Sequence, residues 1–262
     1  MPRLGLGVYK SEPGAETRDA VVAALHAGYR SIDTATFYEN EQSVGEGLAA
    51  AGIPRDQVFV TTKVWNSDQG YERTLQVFDT SLKHLGLETL DLYLIHWPMA
   101  ETFVETWRAL EKLYRDGRVR AIGVSNFEPH HLETLKRESE LVPVVNQVEL
   151  HPYLQQKPLR EYCAEAGIAV EAWSPIARGN VVNDPVLQEI AGAHGKTPVQ
   201  VTIRWELQHG IITIPKSVKP QRIADNADVF DFELSTAEMA RIDALDQGES
   251  GRLGPHPDTI GG

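Results

Sequence analysis

The stretch Phe59-Val60-Thr61-Thr62-Lys63-Val64-Trp65 is a β-branched run that reads as a strand buried on both faces, with one lysine set inside it. A lone ammonium there costs several kcal/mol of desolvation, so the fold must bring a carboxylate or an anionic ligand to Lys63. Upstream, Tyr29-Arg30-Ser31-Ile32-Asp33-Thr34 is a short strand that ends on an acid, and Tyr38 follows a turn. Downstream, Asp91-Leu92-Tyr93-Leu94-Ile95-His96 is a third strand, ending on histidine. Asp33, Tyr38, Lys63 and His96 thus fall at or just past the C-terminal ends of three successive strands. In a parallel barrel those ends meet on one face.

The rest of the chain repeats the strand-helix rhythm. Eight strand-like segments are expected, the first over residues 4–9 and the last over 211–215. Helical patterns alternate with them and are closed by glycines such as Gly28, Gly52, Gly86, Gly117 and Gly167. At 262 residues and 42% hydrophobic, the chain has the size of one closed (β/α)8 barrel, a single domain over 1–262. The run Gly45-Glu46-Gly47-Leu48-Ala49-Ala50 matches a dinucleotide-binding glycine pattern, but it lies inside a helix rather than directly after a strand. It reads instead as close helix packing.

Composition narrows the function classes. A formal net charge of -12 argues against general nucleic-acid binding. No apolar run approaches the ~18 residues of a membrane span, and the N-terminus carries no signal-peptide pattern, so a cytoplasmic protein is expected. The single cysteine, Cys163, excludes an intrachain disulfide and reads as inert helix packing. The histidines are scattered, and the adjacent His130 and His131 read as a helix surface, so no metal is expected.

The four residues suit one kind of chemistry. A phenol with its ordinary pKa near ~10 is a weak acid at neutral pH, and an adjacent ammonium stabilises its phenolate. Asp33 would hold Lys63 charged, Lys63 would lower the Tyr38 pKa, and His96 would orient a substrate oxygen. That set suits protonation of a carbonyl oxygen while hydride arrives at carbon. Each residue alone has a structural use as a cap, a rim residue or an ion pair; four on one face favour chemistry. A Schiff-base role for Lys63 is disfavoured, because a lysine paired to an acid stays protonated. Lys216-Ser217-Val218-Lys219 with Arg222 concentrates three cations beside the last strand and the start of a helix, which suits a phosphate.

The runs Leu4-Gly5-Leu6-Gly7, Gly28-Tyr29-Arg30-Ser31-Ile32-Asp33-Thr34-Ala35, Leu94-Ile95-His96-Trp97-Pro98, Gly123-Val124-Ser125-Asn126-Phe127, Asn146-Gln147-Val148-Glu149-Leu150-His151-Pro152 and Ile214-Pro215-Lys216-Ser217-Val218 resemble the aldo-keto reductase superfamily. The tail Gly251-Arg252-Leu253-Gly254-Pro255-His256-Pro257-Asp258 is similar to that of its bacterial 2,5-diketo-D-gluconate reductase group. The resemblance implies that Asp33, Tyr38, Lys63 and His96 form a catalytic tetrad, with Tyr38 as general acid. It further implies that Ser125, Asn126 and Gln147 bind the nicotinamide carboxamide, that Trp173 stacks on the ring, and that Ser174, Ile176 and Gly179 follow the pyrophosphate. Lys216, Ser217, Val218, Arg222 and Asn226 would hold the adenosine 2′-phosphate end, so NADPH is expected in preference to NADH.

Relatives carry an N-terminal β-hairpin ahead of the first barrel strand, and this sequence starts inside the segment that follows it. Either the barrel floor is more exposed than usual, or another subunit or the last helix covers it; a monomer is expected. Short loops after His96 and Trp173 leave a wide mouth lined by Tyr9, Trp65 and Trp97, with the tail folding across. Broad tolerance for aldehydes, α-dicarbonyls, keto esters and keto sugars follows. The competing reading is a non-catalytic NADP(H)-binding regulatory or sensor protein, which the intact tetrad disfavours.

Overall fold

The computed structural model describes residues 1–260; the last two residues of the expected domain lie outside the described residues. Eight parallel strands follow one another in chain order around one sheet: β1 (Leu6–Gly7), β2 (Ser31–Asp33), β3 (Phe59–Val64), β4 (Leu90–Ile95), β5 (Val119–Ser125), β6 (Val145–Glu149), β7 (Ala169–Trp173) and β8 (Ile212–Thr213). Helices alternate with them: α1 (Ala15–His26), α2 (Glu41–Ala51), α3 (Tyr71–Leu85), α4 (Phe103–Arg115), α5 (Pro129–Glu138), α6 (Lys157–Glu165), α7 (Pro185–His194) and α8 (Pro198–Gln208), with α9 (Pro220–Ala227) and α10 (Thr236–Asp243) after the last strand. Several helix starts are written in the sequence as caps. The Asp184 carboxylate accepts from the backbone N–H groups of Val186 and Leu187 at the head of α7, and Thr197 with Gln200, like Ser235 with Glu238, forms a capping box.

β1 and β8 are shorter than the expected 4–9 and 211–215. They meet at the seam of the ring, where only isolated parallel bridges, Leu4 with Thr213 and Gly7 with Lys216, close the barrel. Pro215 has no N–H to extend the ladder. Along the strands, alternate residues face outward into the helix layer or inward. The outward set, including Val60, Val64, Tyr93 and Ile95, joins the main core with Phe78, Trp107 and Trp205. Inside, Leu92, Leu94 and Val145 with Phe59 and Ala121 fill the lower barrel, leaving the upper interior to polar side chains. Among the described residues, no helix is long and apolar enough to cross a membrane.

Gly45 and Gly47 pack as expected. A Cβ at Gly45 would lie 2.5 Å from the Leu85 carbonyl oxygen of α3, and one at Gly47 would lie 2.7 Å from Val21 Cβ of α1. Overpacking costs about 1–3 kcal/mol, and one kcal/mol moves Tm by about 2–4 °C in a chain of this size. Gly45→Val should therefore lower Tm by about 2–12 °C in a thermal melt. Gly192→Ala, where a new Cβ on α7 meets nothing within 4 Å, should raise it by about 1–4 °C.

Candidate active site

Lys63 points inward from β3 and is fully buried, and Asp33 is the register partner of Thr61 on the neighbouring strand, two residues before it. Strand pairing thus sets the acid beside the ammonium. Lys63 Nζ donates to Asp33 Oδ1 at 2.6 Å, to the Thr34 carbonyl at 2.8 Å and, at a longer 3.4 Å, to the Tyr38 hydroxyl oxygen. Tyr38 ends a 3₁₀ turn over Thr36–Tyr38, which Thr36 Oγ1 ties back to the Lys63 carbonyl at 2.6 Å. Asn40 holds the same loop, accepting from Thr34 Oγ1 and donating to the Val8 and Ser11 carbonyls.

Burial works to strip the Lys63 proton, but Asp33 and Tyr38 outweigh it and hold the ammonium above its usual range. Tyr38 departs from the sequence expectation. Lys63 does pull its pKa down, yet burial is the larger effect and pushes it up to about 12. The phenol is therefore fully protonated at neutral pH. It can still act as an acid toward an oxygen that is becoming an alkoxide, a far stronger base than phenolate.

His96 follows β4, and burial first and Lys63 second push its pKa far below the imidazole range, so the ring is neutral. Its Nδ1 is buried without a partner. An N–H there would be left unsatisfied, so the proton belongs on Nε2, which bonds no described residue. Tyr38 and His96 rings meet edge to face with centroids 5.7 Å apart. Two neutral donors therefore border one spot at the head of the barrel.

Aromatic faces wall that spot. Tyr9 packs on Tyr38 at 5.0 Å and Trp65 on His96 at 5.0 Å. Phe37, which sequence reasoning missed, stacks on Trp65 at 3.9 Å with its ring half-exposed. Its position next to Tyr38 was the available signal. Trp97, expected at the mouth, is buried, its carbonyl accepting from Gln69 Nε2.

The residues expected to hold a nicotinamide are drawn together, but largely bonded to one another. Ser125 Oγ donates to the Gln147 carbonyl, Asn126 Nδ2 donates to the His96 carbonyl and to Ser125 Oγ, and Trp173 Nε1 donates to Asn126 Oδ1 at 2.7 Å. A carboxamide docking on Asn126 Oδ1 has to take the place of that indole. Gln147 donates through Nε2 to Asp33 Oδ2 at 2.8 Å and to Glu171 Oε2 at 2.7 Å, while its Oε1 bonds no described residue. That oxygen is the acceptor left for an outside donor. Asn126, Ser174, Ala177 and Arg178 adopt left-handed φ of 47–64°, and Gly179 φ of 97°, on the loops bordering the same face; Ile176 packs on the core beneath.

At the seam, Lys216 is half-buried and Arg222 exposed, Ser217 and Asn226 are buried, and Val218 packs on the core. Among the described residues, no carboxylate pairs with Lys216, Lys219 or Arg222, although the protein carries twelve excess negative charges. Uncompensated cations at the start of α9 and an unused Gln147 acceptor fit a nicotinamide cofactor bearing an extra phosphate.

Glu149, on β6, was not anticipated either. It accepts from the backbone N–H groups of Leu253 and Gly254 at 2.7 and 2.8 Å and bonds His151 Nε2 at 2.9 Å. Burial would raise its pKa, but His151 and the two tail amides prevail and hold it below the usual range. The tail thus folds across the face as expected, with Gly254 so close to Trp173 that a Cβ would meet the indole at 2.5 Å. The tail also brings Asp258 to His130 and His131, with Oδ1 3.1 and 3.6 Å from their Nε2 atoms. His131 Nδ1 accepts the Glu128 N–H, so Nε2 carries its proton and faces Asp258 as a donor. This cluster reads as a tail clasp.

Residues 3–247 match the family model described as Aldo/keto reductase family. The chain is 56% identical over 260 residues to a glyoxal reductase of Bacillus subtilis, spanning 99% of this chain and 94% of that one. It is 48% identical over 266 residues to a methylglyoxal reductase of Salmonella typhimurium, spanning 100% and 95%. Among solved structures, the NADPH complex of a Gox0644 mutant aligns with a TM-score of 0.94 at 48% identity, over 99% of this chain and 94% of that one.

The ion pair generates a stability test. Lys63→Met leaves the Asp33 carboxylate buried without its cation, which should cost about 3–5 kcal/mol in urea unfolding. Lys63→Met with Asp33→Asn should recover most of that loss.

Proposed function

The chain belongs to the aldo/keto reductase family, and from that premise we propose that it reduces small aldehydes and ketones with NADPH, Tyr38 acting as general acid. The observation that carries the reading is the chain of contacts from Asp33 through Lys63 to the Tyr38 hydroxyl, with neutral His96 beside it. NADPH, when bound, supplies the hydride. Gln147 Oε1, the Asn126 region and Trp173 would hold its nicotinamide end, and Lys216, Ser217 and Arg222 its phosphate-bearing end.

The substrate carbonyl oxygen sits between the Tyr38 hydroxyl and His96 Nε2. As negative charge grows on that oxygen, both donors strengthen their bonds to it, and Tyr38 gives up its proton. The phenolate left behind is stabilised by the Lys63 ammonium, which Asp33 and the Thr34 carbonyl hold in place. Lys63 itself is fully buried beneath Tyr38, so it acts on the hydroxyl through a low dielectric. No observation favours a purely regulatory binding protein, which would have no use for the Asp33–Lys63–Tyr38 chain.

For the substrate, we favour α-dicarbonyls of the kind named for the Bacillus and Salmonella relatives. Such molecules are small and electron-poor, and the aromatic walls offer them apolar faces with few fixed polar contacts. Keto esters and keto sugars fit the same wide mouth. We read the protein as a cytoplasmic monomer. Its one thiol, Cys163, is buried, and burial pushes its pKa up to about 11, which suits a packing role.

Tyr38→Phe should reduce kcat by about 10²–10⁴-fold while leaving NADPH binding, read by fluorescence quenching, unchanged. Turnover close to wild type would move the acid's role elsewhere. Arg222→Ala should raise the KM for NADPH by about tenfold or more, as expected for loss of a charge-assisted bond, and leave that for NADH alone. Equal effects on both cofactors would remove Arg222 from the phosphate site.

A further inference from the structure

Glu171 is a carboxyl group in the barrel interior that the mechanism above does not use. It is fully buried on β7, faces inward two residues before Trp173, and has one apolar register partner, Ile212 of β8. Its Oε2 accepts from Gln147 Nε2 at 2.7 Å, and the second hydrogen of that amide goes to Asp33 Oδ2 at 2.8 Å. Glu171 Oε1 has no partner. A single bridging amide therefore joins Glu171 to the carboxylate that clamps Lys63, and Glu171 stands at the end of a buried chain running through Gln147, Asp33 and Lys63 to Tyr38.

Two consequences follow from that geometry. An amide whose NH2 group is held by two carboxyl groups cannot flip without turning its oxygen onto them, so Gln147 Oε1 is fixed toward the open side. Any charge on Glu171 is also felt at Asp33, and through Asp33 by the ammonium. Building on the reductase reading, we propose that Glu171 is a positioning residue of the reaction: it fixes which face Gln147 presents to the nicotinamide carboxamide, and it tunes the field that Lys63 exerts on Tyr38.

The charged and titratable groups around it are few. β2 brings Asp33, β3 brings Lys63, the turn after β2 brings Tyr38, β4 leads to neutral His96, and β6 brings Glu149, already bonded to His151 and the tail. Burial, then Asp33, push the Glu171 pKa up to about 8, with Gln147 and Lys63 pulling the other way. At neutral pH the group is a carboxylic acid, and one ammonium faces one carboxylate. Above about pH 8 two carboxylates share that ammonium, the phenolate loses part of its stabilisation, and reduction slows.

The test uses Glu171→Gln, which keeps the acceptor and cannot ionise, and Glu171→Leu, which removes the acceptor. Wild type should show a basic limb near pH 8 in kcat/KM for methylglyoxal reduction. Glu171→Gln should match wild type at pH 7 and lose that limb. Glu171→Leu should raise the NADPH KM about tenfold at pH 7 with a much smaller change in kcat, and a thermal melt should show both variants folded. A limb that persists in Glu171→Gln, or a Glu171→Leu variant with wild-type NADPH KM, overturns the proposal. Should Glu171→Leu not fold, the Glu171→Gln pH profile decides alone. A wild-type protein with no NADPH-dependent reduction would instead overturn the underlying reductase reading.

Discussion

A fully buried ammonium is the constraint that organises this protein. Lys63 has no water to solvate it, and in its place stand Asp33, the Thr34 carbonyl and the Tyr38 hydroxyl. Each is delivered by a neighbouring element: Asp33 by the end of β2 and Thr34 by the residue just past it, Tyr38 by the turn that Thr36 pins to the Lys63 backbone. The parallel barrel is what makes this possible, because register brings the end of β2 alongside β3 without any connecting segment inside. The same interior that penalises an unpaired charge also magnifies the pull of that charge on a nearby phenol.

The balance within the site differs from a simple picture of an acidified tyrosine. Burial outweighs Lys63 and leaves Tyr38 a weaker acid than free phenol in water. The acid role proposed for it then rests on being reliably protonated and on the ammonium's readiness to stabilise the phenolate, rather than on a low starting pKa. His96 behaves in parallel, since burial keeps it neutral with its proton on the nitrogen that faces the cleft.

Much of this was legible from residues alone. The strand run around Lys63 demanded an acid, and the helical patterns with their glycine stops gave the alternation that closes into the barrel. The Gly45 to Gly47 pattern was correctly set aside, because a glycine pattern inside a helix has no strand end to serve. What was hidden depends on contacts between distant segments. β1 and β8 look like full strands in sequence, and only the incomplete seam shortens them. Glu171 reads as an ordinary polar alternation, and its parity with Trp173 was the sole hint that it faces inward. Glu149 and Asp258 gained meaning only when the tail returned across the barrel's head.

The proton-handling side chains and the surrounding walls come from different parts of the fold. Asp33 and Lys63 sit within the ladder of β2 and β3, whereas Phe37 and Tyr9 belong to turns, and Trp65 leaves the strand that carries Lys63. The walls meet one another by stacking, so altering one reshapes the opening without shifting the ion pair below. Appetite for one carbonyl compound over another can thus drift through evolution while the acid stays as it is, and a redesign for new feedstocks has a natural place to begin.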